Sequence, residues 1–201
     1  MPETLKNNLE LELQHSGSLC VVGMDEAGMG PLAGPVIVGA ACLPLDFDLP
    51  YLNDSKKLTA KRRANLEIGI KIQARFWSVG VASAEEINTM GIRPATFLAY
   101  ARALEQISEA DYLLIDAWTL PGTILPQQGV VRGDSKIASI AAASILAKEE
   151  RDRMMGALHN DFPLYGFNRH KGYGTRTHLE AIRQHGPCKE HRVNWSVFDR
   201  L

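Results

Sequence analysis

The chain has 201 residues, 45% of them hydrophobic and 22% charged, with a net charge of −1. That length suits one domain, or one domain with a small appendage, and supplies enough apolar material for a real core. The balance excludes a polar disordered chain, no apolar run is long enough to span a bilayer, and the near-zero charge alone gives no hint of a polyanionic partner.

The opening stretch, MPETLKNNLELELQHSG, carries no basic-then-apolar export pattern, so a cytoplasmic protein is expected. LCVVGM (19–24) and PVIVGAACL (35–43) are short, rich in β-branched residues and bounded by glycine. They predict two strands joined by a turn through Gly28, Gly30 and Gly34. ARFWSVGVA (74–82) predicts a third strand. TAKRRANLEIGIKIQ, between the second and third, predicts a helix with Thr59 as its N-cap, and RPATFLAYARALEQI (93–107) a second helix. DYLLID (111–116) is a buried strand ending on a carboxylate. After it, VVRGDSKIASIAAASILAKEERDRMMGAL predicts a short strand, a glycine-aspartate break and a long alanine-rich helix to about Leu158. A last helix is expected near 175–184. The order is that of an α/β chain, divided here into a catalytic domain (1–162) and a C-terminal helical extension (163–201).

The extension differs in charge from the whole. It holds Arg169, Lys171, Arg176, Arg183, Lys189, Arg192 and Arg200 against three acids, a net of +4, together with four of the six histidines and Tyr165, Tyr173 and Trp195. Basic residues interleaved with aromatics suit a nucleic-acid backbone, and a solvated helical face accounts for the segment equally well when it is judged alone. Cys20, Cys42 and Cys188 are odd in number and too scattered for a zinc knuckle, which leaves them as reduced structural thiols.

Four acids fall at predicted element ends: Asp25 and Glu26 after the first strand, Asp116 closing YLLID, and Asp134 before the long helix. If the strands around Asp25 and Asp116 are neighbours, the carboxylates converge at one sheet edge, where α/β proteins form sites. Such a cluster needs cations. Carboxylates without cysteine or an obligatory histidine match Mg²⁺ or Mn²⁺, and two such ions about 3.5–4 Å apart can stabilise both oxygens of an in-line phosphoryl displacement. Each acid also has a bland role: Asp134 as a helix N-cap, Asp116 as a strand-end turn residue, Asp25 bonded to its own backbone.

The motifs GMDEAGMGPLAGPV, NDSKKLT, LLIDAW, GDSKIASIAAASILAKEERDRMM and YGFNRHKGYGTRTHLEAIRQHGPCKEHR, in that order, resemble the bacterial type 2 ribonuclease H family, ribonuclease HII, nearly end to end. The resemblance implies a ribonuclease H-like mixed sheet flanked by helices, with a C-terminal helical region. It implies an endonuclease that cuts the RNA strand of RNA–DNA hybrids and cuts 5′ of a single ribonucleotide in duplex DNA, leaving a 3′-hydroxyl and a 5′-phosphate. The family's four acids fall on Asp25, Glu26, Asp116 and Asp134, which would hold two divalent ions, Mg²⁺ or Mn²⁺.

The resemblance further sets Tyr173 of KGYGT against the sugar at the RNA-to-DNA junction and the backbone of Gly28 to Gly30 against the 2′-hydroxyl, the group that marks RNA. Lys56, Lys57, Lys136, Lys148, Arg169 and Lys171 are candidates for phosphate contacts, which set register. Where the family has Gly-Arg-Gly, this chain has Gly28-Met29-Gly30. Methionine cannot make arginine's charge-assisted phosphate bonds, so cleavage is expected to persist with junction preference or binding weakened. Two other readings stay open here: a non-catalytic nucleic-acid-binding module, and a different two-metal nuclease such as a junction resolvase or ribonuclease HIII.

Overall fold

The computed structural model describes residue 5 and residues 8–200; the start of the amino-terminal stretch and Leu201 lie outside the described residues. Five strands form: β1 (Val21–Ala27), β2 (Val36–Cys42), β3 (Phe76–Ala82), β4 (Tyr112–Asp116) and β5 (Gln127–Val130). They make one sheet in the order β3-β2-β1-β4-β5. The first three are antiparallel, whereas β4 joins the free side of β1 in parallel and β5 continues parallel to β4. A parallel neighbour needs a crossover, which passes through α3 (Ala84–Met90) and α4 (Ile92–Leu104).

Helices cover both faces, which is why β2 is buried along its whole length and reads VIVGAAC rather than alternating with polar residues. On one face, Val22 and Met24 pack against Ile87 of α3 and Ala99, Tyr100 and Ala103 of α4. On the other, α5 (Ala138–Asp161) brings Ala138, Ala141, Ala142 and Ile145 against Ala41, joined by Leu66 and Ile70 of α2 (Ala60–Gln73). The alanine face lets α5 sit so close that a Cβ on Gly39 would stand 2.2 Å from the Ala143 carbonyl oxygen. Thr59 caps α2 as its sequence predicts, accepting the Arg62 N–H.

Several local features differ from the sequence reading. β1 does not stop at Met24: its pairing with β2 continues to Ala27 opposite Ile37, so Asp25 and Glu26 lie inside the strand. Helix α3 was not expected, although Ser83 and Glu86 form the capping box that marks its start. Nor was α1 (Asn8–His15). The long helix begins at Ala138, after a separate 3₁₀ turn over Gly133–Ser135, so Asp134 is not its cap. Glu10 of α1 does that work from a distance, its Oε1 accepting the Ser139 N–H at 2.9 Å and the Ser139 hydroxyl at 2.8 Å. A carboxylate from another element satisfies the helix start, which leaves the Asp134 side chain free to face elsewhere.

Beyond α5, a 3₁₀ turn (Pro163–Tyr165), α6 (Phe167–His170) and α7 (Arg176–His185) gather Tyr165, Phe167 and Ile182 around Met155 of α5 and Ala33. Arg192 donates its N–H to Leu32 O and Gly34 donates to Glu190 O, both at 2.8 Å. The C-terminal residues are thereby tied to the loop that follows β1.

Candidate active site

The parallel pairing of β1 with β4 aligns Met24 with Ile115, so Asp25 and Asp116 are the next residues at the same end of neighbouring strands. Alternation along β1 sends Asp25 to the α5 face and Glu26 to the α4 face. Two acids adjacent in sequence therefore point to opposite faces of the sheet, while their charges still repel. Glu26 is held by Tyr100, whose hydroxyl donates to its Oε2 at 2.6 Å. Asp25 Oδ1 accepts the Glu26 N–H at 2.8 Å, the self-contact expected of a turn residue, here alongside its place in the cluster. The turn at Gly133–Ser135 brings in Asp134, and the Gly133 N–H fixes Asp116 by donating to its Oδ1 at 2.7 Å.

One carboxylate oxygen each from Asp25, Asp116 and Asp134 then lies within 4.8 Å of the others; Glu26 stands outside this tight trio. Asp25 and Asp134 are about 95% buried. Burial raises the Asp25 carboxyl well above the usual carboxylate range, and the charges of Glu26, Asp116 and Asp134 add to it. Burial also raises Glu26, against the opposing Tyr100 hydrogen bond, and raises Asp116, against the Gly133 N–H. The same burial and the same carboxylates push the Tyr100 hydroxyl well up, so it remains a donor.

Lys56 reaches Asp134 Oδ2 at 3.4 Å. Partial burial pulls its ammonium down, but Asp134, Asp25 and Asp54 outweigh that and hold it above its ordinary value. One largely exposed lysine does not neutralise three gathered acids. The donor set, all carboxylate oxygen, fits a hard divalent cation such as Mg²⁺ or Mn²⁺.

Asp25 and Glu26 open onto a cleft of about 250 Å³ that Gly28, Met29, Gly30, Lys56, Lys148 and Tyr173 also line. A second hollow of about 490 Å³ adjoins it through Lys56 and contains Lys57, Asp116 and Asp134. The structure so brings together most of the residues singled out from sequence. Three line neither hollow: Lys136 folds back to donate to Val131 O at 2.8 Å, Lys171 reaches Asp152 O at 3.3 Å, and Arg169 lies in a separate hollow with His159 and Thr177. Lys148 is itself paired with Asp152 at 2.7 Å.

Tyr100 and Arg151 escaped the sequence reading, which took Arg192 only as one of the basic residues suited to a nucleic-acid backbone, whereas it is fully buried. Gly28, at φ +99°, leaves room for Arg151, whose Nε a Cβ there would meet at 2.2 Å. Arg151 donates to the carbonyls of Ala33, Pro35 and Lys171, and Arg192 to those of Met29, Gly34 and Pro35. Burial lowers both guanidinium groups, Arg192 to about 9. They hold the glycine turn from beneath. Arg151 sits in the charged run KEERDR, which reads as a solvated helix face, and Arg192 in a segment without periodicity, so no signal marked either.

A mixed sheet flanked by helices, with acids gathered at the ends of its adjacent parallel strands beside a cleft, is an arrangement suited to cation-assisted hydrolysis. The family model described as Ribonuclease HII matches residues 22–198. A Ribonuclease HII from Desulfitobacterium hafniense is 51% identical over 188 residues, 93% of this chain and 72% of that protein. One from Syntrophotalea carbinolica is 49% identical over 187 residues, 92% and 90% of the two chains. The crystal structure of ribonuclease H2 from Pyrococcus horikoshii OT3 shares the fold with a TM-score of 0.76 at 23% identity, over 90% of this chain and 96% of that one. The chain belongs to the ribonuclease HII family, and is a hydrolytic endoribonuclease.

Proposed function

We propose that this enzyme hydrolyses the RNA strand of RNA–DNA hybrids and cuts on the 5′ side of single ribonucleotides embedded in duplex DNA, leaving 3′-hydroxyl and 5′-phosphate ends. The observation that carries the reading is the convergence of Asp25, Asp116 and Asp134 within 4.8 Å beside a cleft walled by Gly28, Gly30 and Tyr173. Asp25, Glu26, Asp116 and Asp134 would hold two divalent ions, Mg²⁺ or Mn²⁺. When bound, these ions supply Lewis-acid stabilisation of the attacking and leaving oxygens.

The chain's own groups do the rest. Tyr100 fixes the rotamer of Glu26, and Gly133 fixes that of Asp116. The glycine turn, braced by Arg151 and Arg192, offers backbone to a 2′-hydroxyl without needing the residue-29 side chain. Tyr173, about half exposed, offers a flat ring to the sugar that follows the ribonucleotide. Lys56, Lys57 and Lys148 would meet phosphates along the two hollows, and Tyr173 of the C-terminal extension would add an aromatic wall to the binding surface. A bacterial duplex carrying ribonucleotides is a cytoplasmic substrate, and the same proposal places the enzyme there. Among the described residues no helix is long and apolar enough to cross a membrane.

One feature favours a variant of this reading. Met29 is partly buried against the core of the α4 face, its carbonyl takes Arg192 Nη1 at 3.1 Å, and its side chain has no donor for a phosphate. Junction preference would then be weakened while cleavage persists. Both are tested by incubating the protein with two labelled duplexes, one with a single ribonucleotide and one an RNA/DNA hybrid, in Mg²⁺, Mn²⁺ or chelator, and mapping the cuts. Metal-dependent cutting 5′ of the lone ribonucleotide supports the full reading. Cutting confined to the hybrid supports the weakened one, and no cutting of either refutes both.

A further inference from the structure

The turn bearing Tyr173 is bounded by two imidazoles that the nuclease chemistry leaves unused. His178, on α7, and His191 are both fully buried. Their Nε2 atoms face each other at 3.1 Å. At one end His178 Nδ1 lies 2.9 Å from the Tyr173 carbonyl oxygen. At the other, the Cys188 backbone N–H points at His191 Nδ1 from 2.9 Å.

Elementary hydrogen-bond accounting settles where the protons are. A carbonyl only accepts, so His178 Nδ1 must carry a proton, and its Nε2 in the neutral ring is a bare acceptor. At the other end His191 Nδ1 lies 2.9 Å from the Cys188 N–H and 3.2 Å from the Cys188 carbonyl oxygen, so that end alone admits either state. The bare His178 Nε2 requires a donor, which puts the proton on His191 Nε2 and leaves Nδ1 to accept the shorter Cys188 contact. His191 Nε2–H therefore donates to His178 Nε2. A charged His178 would bring two N–H groups together between the rings, and the other tautomer of His191 would bring two lone pairs together there, each at the cost of an unsatisfied buried polar group.

The surroundings favour the neutral pair. His170 of α6 stacks on His178 with ring centroids 4.3 Å apart, Tyr165 lies edge-on to His191 at 4.8 Å, and Cys188 Sγ is 3.2 Å from His191 Nδ1. No carboxylate pairs with either ring among the described residues. Burial accordingly pulls both imidazoles down to about 4.

We propose that His178 and His191 are positioning residues for substrate recognition: a one-way relay of N–H donors, from the Cys188 amide through both rings to the Tyr173 carbonyl, holds the Tyr173 turn against the cleft. The relay completes a fully tied backbone. The Tyr173 carbonyl takes a second bond from the Thr175 N–H at 2.8 Å, the Gly172 carbonyl takes the Leu32 N–H at 2.8 Å, and the Lys171 carbonyl takes Arg151 Nη1 at 3.0 Å. With every carbonyl of the turn held, the ring of Tyr173 has a fixed base from which to meet a sugar. This inference rests on the proposed role of Tyr173.

The first test is spectroscopic and uses the unmodified enzyme. Long-range ¹H–¹⁵N correlation on ¹⁵N-histidine-labelled protein near neutral pH reads each ring's tautomer, with peaks assigned through single His→Gln variants. The expected result is a neutral His178 protonated at Nδ1 and a neutral His191 protonated at Nε2; either ring charged or in the opposite tautomer overturns the relay.

The second test compares variants on the single-ribonucleotide duplex. Losing one net hydrogen bond to the turn should raise KM about 3- to 10-fold in His178→Phe, with kcat changed less than twofold. Tyr173→Ala should raise KM at least as far. His191→Gln, which keeps an N–H donor toward His178, should stay nearer wild type than His191→Phe. A wild-type KM in Tyr173→Ala sinks the reading of Tyr173 and the inference with it. A raised KM in Tyr173→Ala beside a wild-type KM in His178→Phe sinks the relay alone.

Discussion

Replacing Asp25 with asparagine should abolish cleavage and, without metal, make the protein more stable. The oxygens of Asp25, Asp116 and Asp134 lie within 4.8 Å of one another. Two unit charges at that separation repel by about 3.5 kcal/mol at an effective dielectric constant of about 20. Asp25 has two such neighbours. Its raised proton affinity lets it escape part of this repulsion by taking up a proton, so the gain on removing the charge is smaller, about 2 kcal/mol. Asparagine keeps an Oδ1 for the Glu26 N–H, so no hydrogen bond is forfeited in exchange. For a chain of this size about 2 kcal/mol corresponds to a rise in Tm of about 4–8 °C.

Thermal unfolding at pH 7 in chelator reads that difference directly. Millimolar Mg²⁺ should then raise the wild type by mass action and the variant much less, shrinking or inverting the gap. A variant that melts no higher than wild type in chelator, or that gains as much from Mg²⁺, would refute the view that these acids are a strained cation site.

Asp116→Asn should lose cleavage while retaining hybrid binding in a gel-shift assay, since the groups facing the substrate at the glycine turn and Tyr173 are untouched; cleavage at the wild-type rate would show the site is misassigned. Met29→Arg should strengthen binding or preference for the single-ribonucleotide duplex over the hybrid, and unchanged rates and preference would mean residue 29 plays no part in reading the junction. Glu10→Ala removes the remote cap of α5 and should cost about 2 kcal/mol, seen as a lower denaturation midpoint with an unchanged slope; a loss below about 0.5 kcal/mol would show that water replaces it. Acidification should act through the histidine pair. With folded values near 4 against 6.5 for a free imidazole, the unfolded chain binds protons that the folded one refuses. Their contribution is intact above about pH 6.5 and is lost as pH falls toward 4, by roughly 3 kcal/mol for one such histidine. Melts in chelator across that range should show a shallower slope in His178→Phe than in wild type, and equal slopes would contradict the assignment.

The features legible in the amino-acid order were those written in local physics. β-Branched runs bounded by glycine became β1 and β2, Thr59 capped α2, and YLLID became a buried strand ending on Asp116. The motifs also picked out the four acids and the glycine turn. Even the missed helix α3 had its start spelled out in Ser83 and Glu86.

Tertiary structure alone decided how those pieces meet. Nothing near Asp134 told that Glu10, 129 positions from Ser139, would cap α5 and leave Asp134 to the carboxylate cluster. Strand register sent Asp25 and Glu26 to opposite faces, a consequence of β1 running three residues further than its apolar run, because hydrogen bonds from β2 extended it. Arg151 and Arg192 look like surface charges in sequence, yet they are buried, with their guanidinium groups donating to loop carbonyls. The proton order of His178 and His191 depends on a carbonyl and an amide brought to either end by packing. Local propensity fixes which residues can form an element, but long-range contacts choose the partner for each buried polar group, and in this protein those partners are what shape the site.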